Sequence, residues 1–342
     1  MKIMITGATG FIGGHTCAHL IRAGHDVTAL VRSPDRLASN LSQLGVAVPR
    51  HVVGDMTDAE AVRDALKGAD AVIHCAAIVS LSPRDDAEMI TSNEAGARCV
   101  LGSAVDQGIP RLVYLSSTSA LFAPGVGALT VNHPPSTTRF AYGRAKAAAE
   151  RYARELEATG VPISIVYPSG VIGPPAGTAL GETGSGMAGF LTTGSMPTAR
   201  AAISTIDVRD LAAIIAALVE PECPPQRVMA TGTLLNMHEL ARIYRTLTGR
   251  RFPVPPVPPA LLRGLGRVLD QIRKVVPFHS PMNAEGMTVV TRWEGADNTD
   301  LTELGVVLRP IEDSFRDSIL AWRDLGLVTD RQIGTLAHQS PS

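Results

Sequence analysis

The stretch Lys2 to Gly13, KIMITGATGFIG, constrains this chain more than any other. A short apolar run meets glycines at 7, 10 and 13, and apolar residues at helical spacing follow. That order predicts a strand, a tight turn and the N-terminus of a helix. Glycine permits the turn and lets backbone approach a ligand closely. The free N–H groups and positive dipole end of the helix face whatever sits above the turn, which favours a phosphate. The spacing is one residue wider than the G-x-G-x-x-G device of dinucleotide-binding turns, so it is a variant of that device.

The segments that follow repeat the alternation. Phe11 to Ala23 reads as a helix closed by Gly24, and Asp26 to Val31 as a second strand ending at Arg32. An acidic residue at that end suits a ribose 2′-hydroxyl, whereas a basic one accommodates a 2′-phosphate. Arg32, with Arg36 one turn on, therefore predicts NADP(H), with NAD(H) possible. Val46 to Val53 is a predicted third strand running into Gly54, Asp55 and Met56. Asp55 stands where a carboxylate meets an adenine edge, while Thr57 or Asp58 can cap the next helix, Ala59 to Leu66. Asp70 to Cys75 reads as a fourth strand leading into the small residues Ala76 and Ala77, with His74 a packed histidine bonded to backbone. A helix from about Arg84 to Gln107 carries Asn93, and a fifth strand, Arg111 to Leu115, opens into Ser116, Ser117 and Thr118. Such alternation is the βαβ signature of a Rossmann-type α/β fold, a doubly wound parallel sheet. Ligands in such sheets lie beyond the carboxyl ends of the strands. The glycines, Arg32, Asp55, Ala76 and the serine run all fall at that edge.

Tyr142 and Lys146 lie four apart in a predicted helix to about Ala158, so they share a face. Reduction of a carbonyl needs a proton donor for the developing alkoxide. A tyrosine serves if a neighbouring ammonium lowers its pKa from about 10. Lys146 can do so and can hold ribose hydroxyls, Thr118 can orient the substrate oxygen, and Asn93 can hold a water linking the lysine to solvent. A sixth strand, Ile163 to Tyr167, ends in Pro168-Ser169-Gly170-Val171-Ile172-Gly173-Pro174.

Beyond this the pattern loosens. Residues 176–200 have no clear period and read as a substrate-side loop, and Ser204 to Asp210 as the start of a helix returning to the sheet. Arg227 to Thr231 reads as a last strand, Met237 to Thr248 as a helix, and Phe252 to Pro259 as extended. Short helices and turns are expected up to Leu327, and a frayed tail from Asp330. The expected organisation is a cofactor-binding domain over 1–175, rejoined by 204–232, and a substrate-binding region over 176–203 and 233–330.

With 342 residues, 45% hydrophobic, the chain can bury a large core. A formal net charge of -1 gives no reason to expect nucleic acid or an anionic membrane. No run is long enough for a membrane span and no secretory signal pattern is seen, which predicts a cytoplasmic protein. The four cysteines have no ligand spacing and read as reduced, mostly buried thiols. His15 and His19 have the i, i+4 spacing of zinc proteases, but Thr16 stands where a glutamate is required, so no metal is expected.

These motifs together resemble an extended short-chain dehydrogenase/reductase of the NAD-dependent epimerase/dehydratase group. The matching residues are Thr6 to Gly13, Gly54-Asp55, His74 to Ala77, Asn93 to Gly96, Ser116 to Thr118, Tyr142 to Lys146 and Pro168 to Pro174. The resemblance covers roughly residues 1–220. It implies Tyr142 as general acid/base, partnered by Thr118, Lys146 and Asn93. It implies cofactor contacts at Gly7, Thr9, Gly10, Phe11, Ile12, Gly13, Arg32, Asp55, Met56, Ala76, Ala77, Ser116, Tyr142, Lys146, Pro168 and Val171. Val31-Arg32-Ser33-Pro34 is similar to the NADP-binding dihydroflavonol-reductase-like and 3β-hydroxysteroid-dehydrogenase-like members. Ser119-Ala120 replaces the Asp-Glu pair of sugar-nucleotide dehydratases, which argues against dehydration. The expected reaction is ketone–alcohol interconversion on a small substrate of low polarity. A sugar-nucleotide epimerase is the alternative, and a non-catalytic cofactor sensor the second. The resemblance also implies a homodimer, since relatives commonly dimerise through the helices carrying Asn93 and Tyr142; Ala95, Ala97, Ala147, Ala148 and Ala153 would allow that close approach or equally pack on the sheet.

Overall fold

The computed structural model describes residues 1–79, 85–275, 283–298, 301 and 304–338. Seven parallel strands form one sheet in the order β3-β2-β1-β4-β5-β6-β9. They are β1 (Lys2–Thr6), β2 (Asp26–Val31), β3 (Arg50–Val53), β4 (Ala71–His74), β5 (Leu112–Leu115), β6 (Ile163–Pro168) and β9 (Arg227–Ala230). The chain order reverses beside β1, which opens the crevice between β1 and β4 where doubly wound sheets bind ligands. The inner strands read as nearly continuous apolar runs because helices cover both faces. On one face α1 (Phe11–Arg22) and α7 (Val208–Ala217) pack side by side. On the other lie α3 (Ala59–Ala65), α4 (Asp86–Asp106) and α5 (Ala141–Ala158), with α4 and α5 closely paired. Ala97, Ala147 and Ala153 are fully buried within this chain, so their small side chains already serve internal packing.

The edge strand β3 is shorter than expected: Val46 to Pro49 stay outside the ladder and pairing begins at Arg50. Arg50 is tied to the Thr28 hydroxyl at 2.8 Å, which charges the exposed edge. The expected start of the Asn93 helix at Arg84 lies outside the described residues. His74 bonds the Thr6 hydroxyl at 2.8 Å, not backbone as expected, and burial pushes its pKa down to about 3. Of the cysteines only Cys17 is fully buried, and all four are free thiols.

A second, three-stranded sheet runs β10-β8-β7. It joins β7 (Gly170–Ile172), β8 (Ala202–Asp207) and β10 (Thr233–Asn236). Here the structure corrects the expected helix at Ser204: a strand continues to Asp207, and α7 begins at Val208. Residues 176–200 are likewise not an aperiodic loop, because α6 spans Gly181–Thr193. Gly184, Met187, Ala188 and Leu191 fall on its buried side. Its glycines lower intrinsic propensity, and burial of that stripe overrides them. Together with α8 (Met237–Thr248) and the helix Ile311–Asp324, α6 encloses a third core around Tyr244, Phe315 and Trp322.

The region up to Leu327, expected as short helices and turns, holds two long helices. They are α9 (Pro259–Val275) and the helix Ile311–Asp324. On α9, Leu262 is buried, while Leu261, Leu265, Val268 and Ile272 line its exposed side. Residues 330–338 are packed rather than frayed: Thr329 and Gln332 form a capping box, and Ile333 and Leu336 are buried in the third core.

Asp207 ties this C-terminal segment to the sheet. Its carboxylate caps α7 by accepting from the Arg209 N–H at 2.8 Å. It also pairs with the Arg209 guanidinium at 2.8 Å and with Arg309 at 3.1 Å. Burial alone would raise its pKa, but the hydrogen bonds and charge of Arg209, helped by Arg309, hold it below the usual carboxylate value. Asp207→Ala is expected to cost about 2–3 kcal/mol in urea unfolding, since it removes a helix cap and charged hydrogen bonds, while Arg209 keeps Asp317 and Arg309 keeps Asp210 as partners. The folded pKa is depressed, so this contribution is present above the unfolded-chain carboxylate range and is lost as pH falls through the folded value. A variant as stable as the parent at neutral pH would refute it.

Candidate active site

The glycine turn connects β1 to α1. Gly7 has φ +80° and its carbonyl accepts from the Gly10 N–H at 2.9 Å. A Cβ on Gly7 would stand 2.7 Å from the Ala76 nitrogen, so glycine lets the turn lie against the end of β4. Asn40 donates to the Thr9 carbonyl at 2.8 Å and steadies the turn from α2 (Pro34–Gln43). Gly10 is the N-cap of α1, where no side chain caps the helix and no acidic residue lies in its first turn. A helix N-terminus without a side-chain cap, above a turn with glycines where backbone approaches closely, is the donor set that a pyrophosphate requires. Phe11 at 8% exposure and Gly13 are buried, and Ile12 is partly buried.

Of the other expected cofactor residues, Arg32, Asp55, Ala76, Ala77, Ser116 and Pro168 lie at the carboxyl ends of the sheet strands. Arg32 follows β2, largely exposed and 3.7 Å from the Asp55 carboxylate. Asp55 also accepts from the Thr57 N–H and hydroxyl, and Asp58 caps α3. Met56 is buried against Gly96 of α4, so its side chain serves packing. The Ala76 N–H donates to the Thr6 hydroxyl at 3.1 Å, and Ala77 follows it in the same loop. Asn93 accepts from the Ile78 N–H at 2.7 Å and donates to the Ile78 carbonyl at 2.8 Å. Both its polar ends thus hold the loop after β4, where the sequence suggested a bound water. Ser116 is buried after β5, Pro168 ends β6, and Val171 lies in β7.

Tyr142 and Lys146 stand on α5 beneath the end of β5. The Lys146 ammonium donates to the Leu115 carbonyl at 3.2 Å, and burial pushes its pKa down to about 8. Burial pushes the Tyr142 phenol up to about 12; a hydrogen bond with Ser117 works against this, and the charges of Glu285 and Glu182 add to it. That is the reverse of the direction expected from an adjacent ammonium alone. Thr118 donates to the Pro168 carbonyl at 3.3 Å, and the Ser117 hydroxyl accepts from the Ser119 N–H at 3.1 Å. The His15 ring nitrogen bonds the Pro174 carbonyl at 2.8 Å, and burial pushes its pKa down to about 4.

Three acidic groups at this site went unread in the sequence. Glu150 continues the Tyr142–Lys146 face by another turn and is fully buried, bonded at 2.6 Å to Arg154 and to the Tyr167 hydroxyl. Its i+4 spacing from Lys146 was the available signal. Glu182 opens α6, whose first residue, Gly181, lies against the Phe11 ring. Glu285 comes from α10 (Ala284–Arg292) and accepts from the Gly143 N–H at 2.9 Å and the Tyr142 N–H at 3.3 Å. No local pattern links it to Tyr142.

Comparison with known proteins gives the family of the chain. Residues 3–222 match the model of the NAD dependent epimerase/dehydratase family. The chain is 27% identical over 337 residues to sterol demethylase protein B of Methylococcus capsulatus, covering 96% of this chain and 100% of that protein. It is 34% identical over 216 residues to a putative dihydroflavonol 4-reductase of Synechocystis, covering 61% of this chain and 60% of that protein. Its fold matches that of a UDP-glucose-4-epimerase from Stenotrophomonas maltophila with bound NAD, with a TM-score of 0.73 at 21% identity, over 95% of this chain and 99% of that one. Among the described residues no helix is long and apolar enough to cross a membrane. The chain belongs to the NAD-dependent epimerase/dehydratase family of extended short-chain dehydrogenases/reductases, and is an NAD(P)-dependent enzyme acting on CH–OH or carbonyl groups.

Proposed function

We propose that the protein is an NADP(H)-dependent reductase that interconverts a ketone and a secondary alcohol on a small substrate of low polarity. The observation that carries this reading is the alignment of Tyr142, Lys146 and the Ser117–Thr118 hydroxyls at the sheet edge that holds the glycine turn and Arg32. Gly7, Thr9, Gly10 and the first turn of α1 would hold the pyrophosphate. Arg32 would hold a 2′-phosphate, Asp55 the adenine edge, and Ala76, Ala77, Ser116, Pro168 and Val171 the rest of the cofactor. A bound nicotinamide supplies or accepts the hydride. Tyr142 donates the proton to the carbonyl oxygen as it becomes an alkoxide. Lys146 holds ribose hydroxyls beside the phenol, the Ser117 and Thr118 hydroxyls orient the substrate oxygen, and Asn93 keeps the loop after β4 in place. An apolar substrate is supported by the name of the Methylococcus relative, which points to a sterol and matches along nearly the whole chain.

The test is NADPH oxidation in the presence of cyclic and aryl ketones, beside fluorescence titrations with NADPH and NADH. Consumption of NADPH with formation of a secondary alcohol supports the reading. Tight, non-exchanging cofactor with no net consumption would replace it with epimerisation. Arg32 carries the choice of cofactor. Arg32→Asp is expected to weaken NADPH binding roughly ten- to hundredfold, the worth of a charge-assisted hydrogen bond, while NADH binding holds or improves. Equal loss for both cofactors would deny Arg32 that role.

A further inference from the structure

We propose that Glu285 is a positioning residue for Tyr142: its carboxylate caps the helix that carries the tyrosine and biases the phenol towards its proton-bearing, proton-donating form. The inference rests on the acid/base role given to Tyr142 above.

The helix needs such a cap. α5 starts at Ala141, and its N-cap is Phe140, which has no side-chain oxygen to offer. No acidic residue lies in its first turn. The orphan N–H groups of Tyr142 and Gly143, the second and third residues of the helix, are those an ordinary Ser, Thr or Asp cap would satisfy. Glu285 satisfies both, one oxygen on each, from a different part of the chain. A carboxylate there is also favoured by the positive end of the helix dipole.

The carboxylate is held in place by neighbouring elements. Asn283 caps α10 by accepting from the Gly286 N–H at 2.6 Å. Asp270 of α9 accepts from the Ala284 N–H at 2.9 Å and pairs with Arg273 at 3.2 Å. Gly266 lets α9 approach: a Cβ there would stand 2.7 Å from the Asn283 carbonyl. A Cβ on Gly143 would meet Thr138 at 2.6 Å, the Ser119 carbonyl at 3.2 Å and the Glu285 carboxylate at 3.4 Å, so glycine leaves the room in which the cap sits.

The electrostatics follow from this geometry. Burial pushes the Glu285 carboxyl up to about 7, the Gly143 and Tyr142 N–H groups oppose that, and the charges of Asp86 at the start of α4 and Asp270 on α9 add to it. Tyr142 faces Glu285 from α10 and Glu182 from α6, both of which disfavour the phenolate, and Ser117, which favours it. Ionised Glu285 therefore keeps Tyr142 protonated further into the alkaline range. Alcohol oxidation needs the phenolate as base, so its onset is delayed to higher pH, while proton donation to a carbonyl is preserved.

The experiment is an ultraviolet titration of tyrosinate, with the Tyr142→Phe protein subtracted to isolate Tyr142. Glu285→Gln keeps the shape and one acceptor but removes the charge. It is expected to lower the Tyr142 midpoint by about one pH unit. The alkaline rise in NADP-dependent alcohol oxidation is expected to move down by the same amount. A Gln variant that folds with an unchanged midpoint overturns the proposal. If Glu285→Gln does not fold, Glu285→Asp, which withdraws the charge by one methylene, reads the same effect at reduced size. An unchanged midpoint there also overturns it. A shifted midpoint in a protein that consumes no NADPH would leave Glu285 in its role and fail the reductase reading instead.

Discussion

Tyr142→Phe is expected to lower NADPH-dependent turnover about 10²–10⁴-fold, the usual worth of a positioned general acid, while NADPH affinity stays close to that of the parent. The ring remains and only the hydroxyl is lost, so α5, its Glu285 cap and the Lys146 contact with Leu115 are preserved. The separation of the two readouts gives the prediction its force. A defect in folding would reduce both, and a purely structural tyrosine would reduce neither. Retention of full turnover would remove Tyr142 from the chemistry, and with it the reductase and epimerase readings alike. The kcat of the variant, with KM close to the parent value, would place the lost interaction in the transition state rather than in ground-state binding.

The second large effect is expected at Gly13. This glycine lies inside α1, and its value is space: a Cβ there would stand 2.2 Å from the Gly7 carbonyl oxygen and 3.2 Å from the Ala8 nitrogen. Both neighbours are backbone of the turn and cannot rotate away. Gly13→Ala is expected to push α1 off the turn, destabilise the protein by about 2–3 kcal/mol, and weaken NADPH binding more than about tenfold. The turn and the helix N-terminus would no longer present their N–H groups together. Gly189→Ala in α6 is the control, because among the described residues nothing lies within 4 Å of its added Cβ. There the higher helix propensity of alanine is expected to leave stability unchanged or raise it by about 0.5–1 kcal/mol. Equal melting behaviour of the two variants would refute this account of Gly13.

The sequence alone carried the nucleotide-binding half, because its signals are local. A buried parallel strand must be a short apolar run, and the turn above a phosphate must be glycine. Tyr142 and Lys146 must stand one helical turn apart to share a face. Each of these demands falls within a few residues, so β1 to β6 and the edge they share were legible. The C-terminal half was less so for an equally physical reason. α6 is held by burial of Met187, Ala188 and Leu191 against helices far along the chain, and its glycines hide that stripe from any reading of propensity. The strand at Ser204 is set by its ladder to β7 and β10, and residues 330–338 are held by burial of Ile333 and Leu336. The ionisation of the site was decided last. The spacing of Tyr142 and Lys146 suggested a lowered phenol pKa. Only the assembled structure brings Glu285, Glu182 and the desolvating walls around the phenol, and these raise it. Local sequence thus determined which groups stand at the sheet edge. Tertiary packing decided their charge states, because desolvation and through-space charge depend on neighbours that no spacing rule records.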